Sequence, residues 1–385
     1  MERIERRQFL RTAAAGAVGT GALAACASEE AATGTAQGGA AVVTGPRVEW
    51  RVASSFVPSL DILHGAPVRV AERISALSDG RFTMRVFAAG ELVPGLQVMD
   101  AVQAGTVQAG YTSGYYYIGK HPGLAFDTTV PFGFDARQQN AWVYHGGGME
   151  LLREIHADFG IVNFPCANTG CQMGGWFRRP INSVADLRGL RMRIPGIGGE
   201  VMSRMGVSVQ VMAGGDIYQA LERGAIDATE WVGPYDDLKL GFHQIAANYY
   251  MPGWWEPGPT ITLQVNRSAY DALPRGYQEM LAETCKEVNL DTLARYDAEN
   301  PRALQTLVRD HGVRLRTYPN DVMEAAWRES NAHLEEQAAS HAGFSRIYES
   351  FKAFRDVSFP YFAGNEHAYG RFALPKAGAP LTAAG

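Results

Sequence analysis

The run Leu190-Arg191-Met192-Arg193-Ile194-Pro195-Gly196 reads as a short strand that stops at a Pro-Gly turn. Working outward, Val184–Leu187 with Gly189 predicts a helical turn just before it. Downstream, the pattern predicts a helix over Glu200–Met205, a strand over Ser208–Met212 and a helix over Asp216–Arg223 closed by Gly224. A strand over Ile226–Thr229 then delivers Glu230 and Trp231. The same alternation holds upstream. Val48–Ala53 and Arg81–Phe87 alternate with period two, and Ile62–Leu77 repeats apolar residues at helical spacing. Leu96–Ala104 reads as a helix stopped by Gly105, and Gln108–Tyr111 as the next strand. Ile161–Cys166 and Gly174–Phe177 are also strand-like. Beyond Ser268 the chain turns helical, over Ser268–Leu273, Gly276–Asp297, Pro301–Asp310 and the run from Asn320 to Phe359. Strands alternating with helices, without an internal repeat, predict an α/β fold with largely parallel pairing.

Composition bounds the function. The 385 residues allow two or three domains and ample core. Apolar residues make up 46% and charged residues 19%, a globular composition. A net charge of −5 argues against nucleic acid as a partner, because a binder of phosphates shows a basic face. Four cysteines are too few for a disulfide scaffold. Cys166 and Cys171 lie close enough in sequence to pair or to remain two thiols, and Cys285 falls on a helix pattern.

The N-terminus reads as an address. Arg6-Arg7-Gln8-Phe9-Leu10-Arg11 is a twin-arginine pattern, followed by a weakly apolar stretch from Ala13 to Ala25. Leu23-Ala24-Ala25-Cys26 has the layout of a lipoprotein cleavage box, with Cys26 as the lipidated residue; an ordinary signal peptide with Cys26 incidental is the alternative. Removal of the first 25 residues takes away four arginines and two glutamates, which moves the net charge from −5 to −7. The expectation is a periplasmic protein, attached to a membrane only through that lipid.

Four stretches together carry a resemblance. They are Gln172-Met173-Gly174-Gly175-Trp176-Phe177, Ala185 to Gly196, Gly224-Ala225-Ile226-Asp227-Ala228-Thr229-Glu230-Trp231-Val232-Gly233-Pro234, and Tyr249-Tyr250-Met251-Pro252-Gly253-Trp254-Trp255-Glu256. The chain from about Arg47 onward resembles the extracytoplasmic solute-binding proteins of TRAP transporters, the DctP family, in the branch that binds 2-oxo or 2-hydroxy acids with a cation. The resemblance implies a two-lobed, periplasmic-binding-protein-like fold with crossing strands and a long C-terminal helical extension. It divides the chain into an export signal with lipobox (1–26), a flexible linker (27–46), lobe I (47–168 and 256–295), lobe II (169–255 and 296–319) and the extension (320–385), which pairs two subunits. It also implies delivery of a small carboxylate to a TRAP membrane permease. A binding protein for an ABC importer or a sensor kinase would carry similar lobes.

The residues offer chemistry to match. Arg193 ends a strand, where side chains reach a crevice, and a guanidinium fork suits a carboxylate. Arg191 lies on the same strand face and is the competing candidate, while Arg178 and Arg188 read as surface residues. In the resembled family the arginine of this motif clamps the substrate. Gln172, Glu230 and Glu256 offer oxygen to a hard cation. The resemblance implies that they hold Na⁺ or Ca²⁺ with the Trp231 main-chain carbonyl, and that the ion touches the substrate. Trp231, Trp254 and Trp255 read as aromatic walls, with Phe56 opposite. In Tyr115-Tyr116-Tyr117 the expected ligand contacts are Tyr116 and Tyr117, and Asn168 in the crossing segment is a further donor. Enzyme readings compete poorly. Gly146-Gly147-Gly148 lacks the lysine of a phosphate loop, Gly196-Ile197-Gly198-Gly199 has the wrong glycine spacing for a dinucleotide site, and there is no G-x-S-x-G elbow. His64, His121, His145 and His243 have no evident nucleophile partner. The expectation is a receptor, not an enzyme.

Overall fold

The computed structural model describes residues 45–378. The export signal, Cys26 and nearly all of the linker lie outside the described residues. Among the described residues, eleven strands form two mixed sheets. They are β1 (Val48–Ser54), β2 (Phe82–Phe87), β3 (Ala109–Thr112), β4 (Ile161–Asn168), β5 (Trp176–Phe177), β6 (Arg191–Arg193), β7 (Ser208–Gln210), β8 (Ala228–Thr229), β9 (Asn248–Met251), β10 (Thr260–Asn266) and β11 (Arg314–Thr317). The first sheet runs β2-β1-β3-β10-β4, and the second β11-β9-β5-β8-β6-β7. Each sheet is the heart of one lobe.

Pairing is parallel where a helix returns the chain, as in β1 with β2 and β3, and β6 with β7 and β8. It is antiparallel where β5 and β10 cross from the other lobe, whereas β11, delivered by a long helix, pairs parallel with β9. β10 runs against β3 and β4, and β5 against β8 and β9. The expectation of largely parallel pairing therefore holds within each run of alternation and fails at those two crossings.

Two helical features bind the lobes together. Gly276–Asp297 and Pro301–Asp310 prove to be one helix, Arg275–Arg309, with Pro301 inside it. It packs on β4 and on the helix Gly65–Leu77 of the first lobe, and on the helix Pro234–Leu240 of the second. The C-terminal extension forms three helices, Asn320–Ser340, Ala342–Gly364 and Glu366–Ala377. The first packs on the second-lobe helix Gly196–Arg204, and the next on the first lobe. Phe351 is buried among Phe126, Phe134 and Trp142, so part of the aromatic set at the C-terminus covers its own chain. Val357, Tyr361, Tyr369, Phe372 and Leu374 remain exposed.

The apolar cores cross the lobe boundary. One joins Phe177, Met192 and Val201 to Phe126, Trp142 and Phe351, and the other joins Val52, Val70 and Tyr111 to Trp231, Tyr249 and Leu315. All three described cysteines are free. Cys166 faces inward on β4 and Cys171 is exposed beyond the turn at Gly170. No helix among the described residues is long and apolar enough to cross a membrane.

Candidate functional site

Four chain segments meet between the sheets. The end of β6 brings Arg193, the residues after β8 bring Glu230, Trp231 and Val232, and the links between the lobes bring Gln172 and Glu256. Main-chain bonds lace them together. Glu230 N donates to Arg193 O (3.3 Å), Met173 N to Val232 O (3.1 Å), Gln172 N to Glu256 O (3.1 Å) and Gly253 N to Gln172 O (2.9 Å). Gly253 has to be glycine, because a Cβ there would stand 2.6 Å from the Met173 carbonyl oxygen.

Arg193 and Arg191 take opposite roles despite sharing a strand face. Arg191 is exposed and grips Asp227 with two side-chain bonds, Nε to Oδ2 at 2.9 Å and NH2 to Oδ1 at 2.7 Å. Arg193 is 1% exposed. Its Nε donates to Met212 O (3.2 Å), its NH1 pairs with Glu230 Oε1, and its guanidinium lies 5.1 Å from the centre of the Trp231 ring. Its NH2 has no partner.

Burial sets the electrostatics. It pushes the Glu230 carboxyl up to about 7, against the pull of Arg193. Burial, with the Glu230 charge behind it, holds Glu256 well above the usual carboxylate range. Glu230 Oε2, Glu256 Oε2 and Gln172 Oε1 are buried without a hydrogen-bond partner. Gln172 Nε2 donates to Thr169 Oγ1 (3.2 Å), which fixes the amide with its oxygen free. Three unpaired buried oxygens, two of them acidic, fit a hard cation such as Na⁺ or Ca²⁺ and no soft metal. No group of three or more His, Cys, Asp or Glu with metal-site spacing occurs among the described residues, since one member of this set is an amide.

A narrow cavity opens beside these groups. Gln172, Arg193, Trp231 and Val232 line it from the segments around the second sheet, with Thr169 in the link. Phe56, Leu63, Ser113, Tyr115, Tyr116, Thr128, Pro259 and Ile261 line it from the segments around the first. Phe56 meets the Trp231 ring edge-on at 6.3 Å across the gap. Glu230 stands behind Arg193, and Glu256 beside Tyr115.

Two expected contacts are placed elsewhere. The Tyr117 hydroxyl bonds Thr112 Oγ1 (3.0 Å) and the Met99 N–H (3.1 Å) inside the first lobe. Tyr115–Tyr117 lie in a 3-10 turn, Gly114–Tyr117, where successive side chains point about 120° apart. Only two of the three can face one cavity, and these are Tyr115 and Tyr116. Asn168 also turns away, donating Nδ2 to Gly258 O (3.1 Å) and accepting Gly170 N on Oδ1 (2.8 Å). Its neighbour Thr169 lines the cavity instead. Trp254 and Trp255 are buried but do not line it, and Trp254 stacks on Phe132 at 5.3 Å. The sequence reading missed Leu63, Ser113, Tyr115, Thr128, Thr169, Val232, Pro259 and Ile261 as cavity contacts. The tyrosine run pointed towards Tyr115 and the Gly224–Pro234 stretch towards Val232.

The family model for bacterial extracellular solute-binding proteins, family 7 (DctP), matches residues 53–341. A monocarboxylate 2-oxoacid-binding periplasmic protein of Nostoc is 52% identical over 370 residues, which span 96% of this chain and 99% of the relative. A TRAP transporter solute-binding protein from Bordetella bronchiseptica, with copurified calcium and picolinate in its site, is 44% identical with a TM-score of 0.85, covering 86% of this chain and 98% of that one. A TRAP periplasmic solute-binding protein from Pseudoalteromonas atlantica, solved with sodium and pyruvate, is 40% identical with a TM-score of 0.82, covering 85% and 99%. The chain belongs to the DctP family of extracellular solute-binding proteins, a family of receptors and not of enzymes.

Proposed function

We propose that this protein binds a small monocarboxylate, a 2-oxo acid such as pyruvate or the related 2-hydroxy acid, together with Na⁺ or Ca²⁺, and delivers it to a TRAP-type membrane permease. One observation carries the reading. Within a single buried site an arginine NH2 and the oxygens Gln172 Oε1, Glu230 Oε2 and Glu256 Oε2 all lack partners. Such groups are costly to bury unless something binds them. A 2-oxo acid suits both halves, because its carboxylate fits a guanidinium and its carboxylate and keto oxygens chelate a cation in a five-membered ring. The cation is needed for charge as well. Two glutamates and one substrate carboxylate outweigh Arg193, and the whole chain is net negative. The ligands of the Bordetella and Pseudoalteromonas proteins support the same pairing of acid and cation.

In this reading Arg193 clamps the carboxylate. Gln172, Glu230, Glu256 and the Trp231 carbonyl hold the cation, Gln172 and Trp231 also touch the substrate, and Tyr116 donates its hydroxyl. The lobes, 47–168 with 256–295 and 169–255 with 296–319, close by a hinge motion that the permease recognises. The same reading has the chain exported by the twin-arginine route, lipidated at Cys26, and dimeric. The exposed side chains Val357, Tyr361, Tyr369, Phe372 and Leu374 support pairing through the extension, because so much apolar surface is unusual for a monomer. Light scattering on the mature chain tests the dimer. A thermal-shift titration with pyruvate tests the receptor, because a ligand of the native state raises the melting temperature. The expected result is a pyruvate-dependent rise in Na⁺ or Ca²⁺ that disappears after exhaustive chelation in sodium-free buffer. An equal rise without cation overturns the ion bridge, and no rise with any 2-oxo or 2-hydroxy acid overturns the ligand class.

A further inference from the structure

Three consecutive carbonyls follow β8, and they are treated differently. The Glu230 carbonyl accepts from Thr229 Oγ1 (3.0 Å) and Arg193 NH1 (3.4 Å), and the Val232 carbonyl accepts from Met173 N. Among the described residues, no hydrogen bond reaches the Trp231 carbonyl between them. Its peptide is held from the other side. The Val232 N–H belongs to the same peptide plane and donates to Asp237 Oδ1 at 3.4 Å. This peptide is trans, so its N–H and C=O point in opposite directions. Whatever holds the N–H thereby aims the carbonyl.

Asp237 is itself held with little freedom. Its Oδ2 accepts from Trp176 Nε1 (2.8 Å) and the Tyr249 hydroxyl (2.7 Å), and the two rings stack at 3.9 Å. They lie opposite each other on β5 and β9, so sheet register fixes both donors. Asp237 is 1% exposed on the helix Pro234–Leu240, which packs on Arg275–Arg309.

We propose that Asp237 is a positioning residue of the cation site: by holding the Val232 N–H it turns the Trp231 carbonyl away from itself and keeps it free as an ion ligand. The role rests on the cation reading above. Asp237 touches neither ion nor substrate. It acts as a carboxylate behind a ligand does in metal sites, where loss of the outer partner costs about 10–100-fold in metal affinity.

Terbium(III) is the probe, excited through the site's tryptophans, with luminescence lifetimes compared in H₂O and D₂O to count coordinated waters. The wild-type mature protein is expected to bind terbium and to release it to excess Ca²⁺. Asp237→Ala is expected to bind it about 10–100-fold more weakly and with one more coordinated water, because water replaces the misdirected carbonyl. Asp237→Asn combined with Trp176→Phe keeps an acceptor for the Val232 N–H, with the amide Nδ2 donating to the Tyr249 oxygen, and is expected to restore the wild-type water count. A mere packing role would lower stability without adding a water. Should the alanine variant fail to fold, Asp237→Leu combined with Trp176→Phe and Tyr249→Phe removes the stranded donors together with the acceptor, and the same added water is expected. Wild-type affinity and lifetime in a folded Asp237→Ala or triple variant overturn the positioning role. A combined Asp237→Asn, Trp176→Phe protein as impaired as Asp237→Ala also overturns it, in favour of a purely electrostatic one. If the wild type itself binds no terbium and no Ca²⁺, it is the cation reading that falls.

Discussion

The cavity wall drawn from residues 169–232 carries Gln172 and Arg193, backed by Glu230, whereas the facing wall from residues 56–128 carries Phe56, Leu63, Ser113, Tyr115, Tyr116 and Thr128 and no formal charge. The difference separates two tasks. The charged side has groups that only an ion or a charged ligand satisfies, so it anchors. The facing side offers hydroxyls and ring surface, which exclude water and make the anchor stronger by lowering the local dielectric. Substitutions on the two walls should therefore differ in size and kind.

The largest loss is expected at Arg193. Arg193→Ala strands a ligand carboxylate in a buried site, and truncating one partner of a buried charge pair costs about 2–5 kcal/mol. Calorimetry should show pyruvate affinity lowered by about 30-fold or more, with the fold retained by circular dichroism. Arg191→Ala is the matched control. It removes only the surface pair with Asp227 and should leave affinity unchanged. Equal effects at the two positions would break the division between walls.

That pair also shows what the sequence reveals and what it conceals. Strand period places Arg191 and Arg193 on one face and cannot rank them. Position along the strand ranks them, because only the C-terminal end opens on the crevice, and Asp227 on the neighbouring strand takes Arg191. The alternation around Leu190–Ile194 was legible because amphipathic spacing is local. The strands β9, β10 and β11 were not, since their partners lie far away in sequence. Pro301 suggested a break because a proline removes one helical bond, but the helix packs on both lobes and continues through it. Arg193, Gln172, Glu230 and Glu256 were readable from their motifs. The neutral wall was not, because serine, threonine and isoleucine carry no signature of a site.

A second acid in the charged lobe sharpens the comparison. Asp236 is fully buried away from the cavity, accepts one bond from the Tyr296 hydroxyl (2.8 Å) and leaves Oδ1 unpaired. Burial pushes its carboxyl up to about 7. The native state then binds this proton more tightly than the unfolded chain, so stability falls as pH rises from about 4 to 7 and stays lowered above that. Asp236→Asn removes the penalty. Thermal unfolding at pH 8 should show the variant more stable than wild type by a few kcal/mol, and the gap should close towards pH 4. A gap that does not change with pH would mean that Asp236 remains ionised and is paired through its second oxygen.

On the neutral wall the expected effect is smaller. The Tyr116 hydroxyl lies near the Arg193 guanidinium, and in the proposed complex it donates one hydrogen bond to the ligand, whose loss costs about 0.5–1.5 kcal/mol. Tyr116→Phe should weaken pyruvate by about two- to tenfold, while Tyr117→Phe changes stability alone. A larger loss at Tyr117 would return it to the site.

The smallest effect is expected where the walls meet at the surface. Asp61, in the turn between β1 and the helix Gly65–Leu77, is an acid of the neutral lobe. It pairs with Lys239, accepts from the Tyr235 hydroxyl (3.1 Å) and lies 3.3 Å from Arg295. In the proposed division Lys239 and Tyr235 fall in the other lobe, so on that reading these bonds form only when the cleft closes. Asp61 is half-exposed, and an exposed pair contributes about 0–1 kcal/mol. Asp61→Ala should therefore raise the dissociation constant about two- to fivefold, through faster release rather than slower capture, since the cavity groups that meet an incoming ligand are untouched. Salt screens surface pairs, so the difference between variant and wild type should shrink at 1 M NaCl, where the Debye length is about 3 Å. Stopped-flow release rates measure both. A change confined to the association rate would place Asp61 in ligand steering and would take the latch out of the division between anchoring and closure.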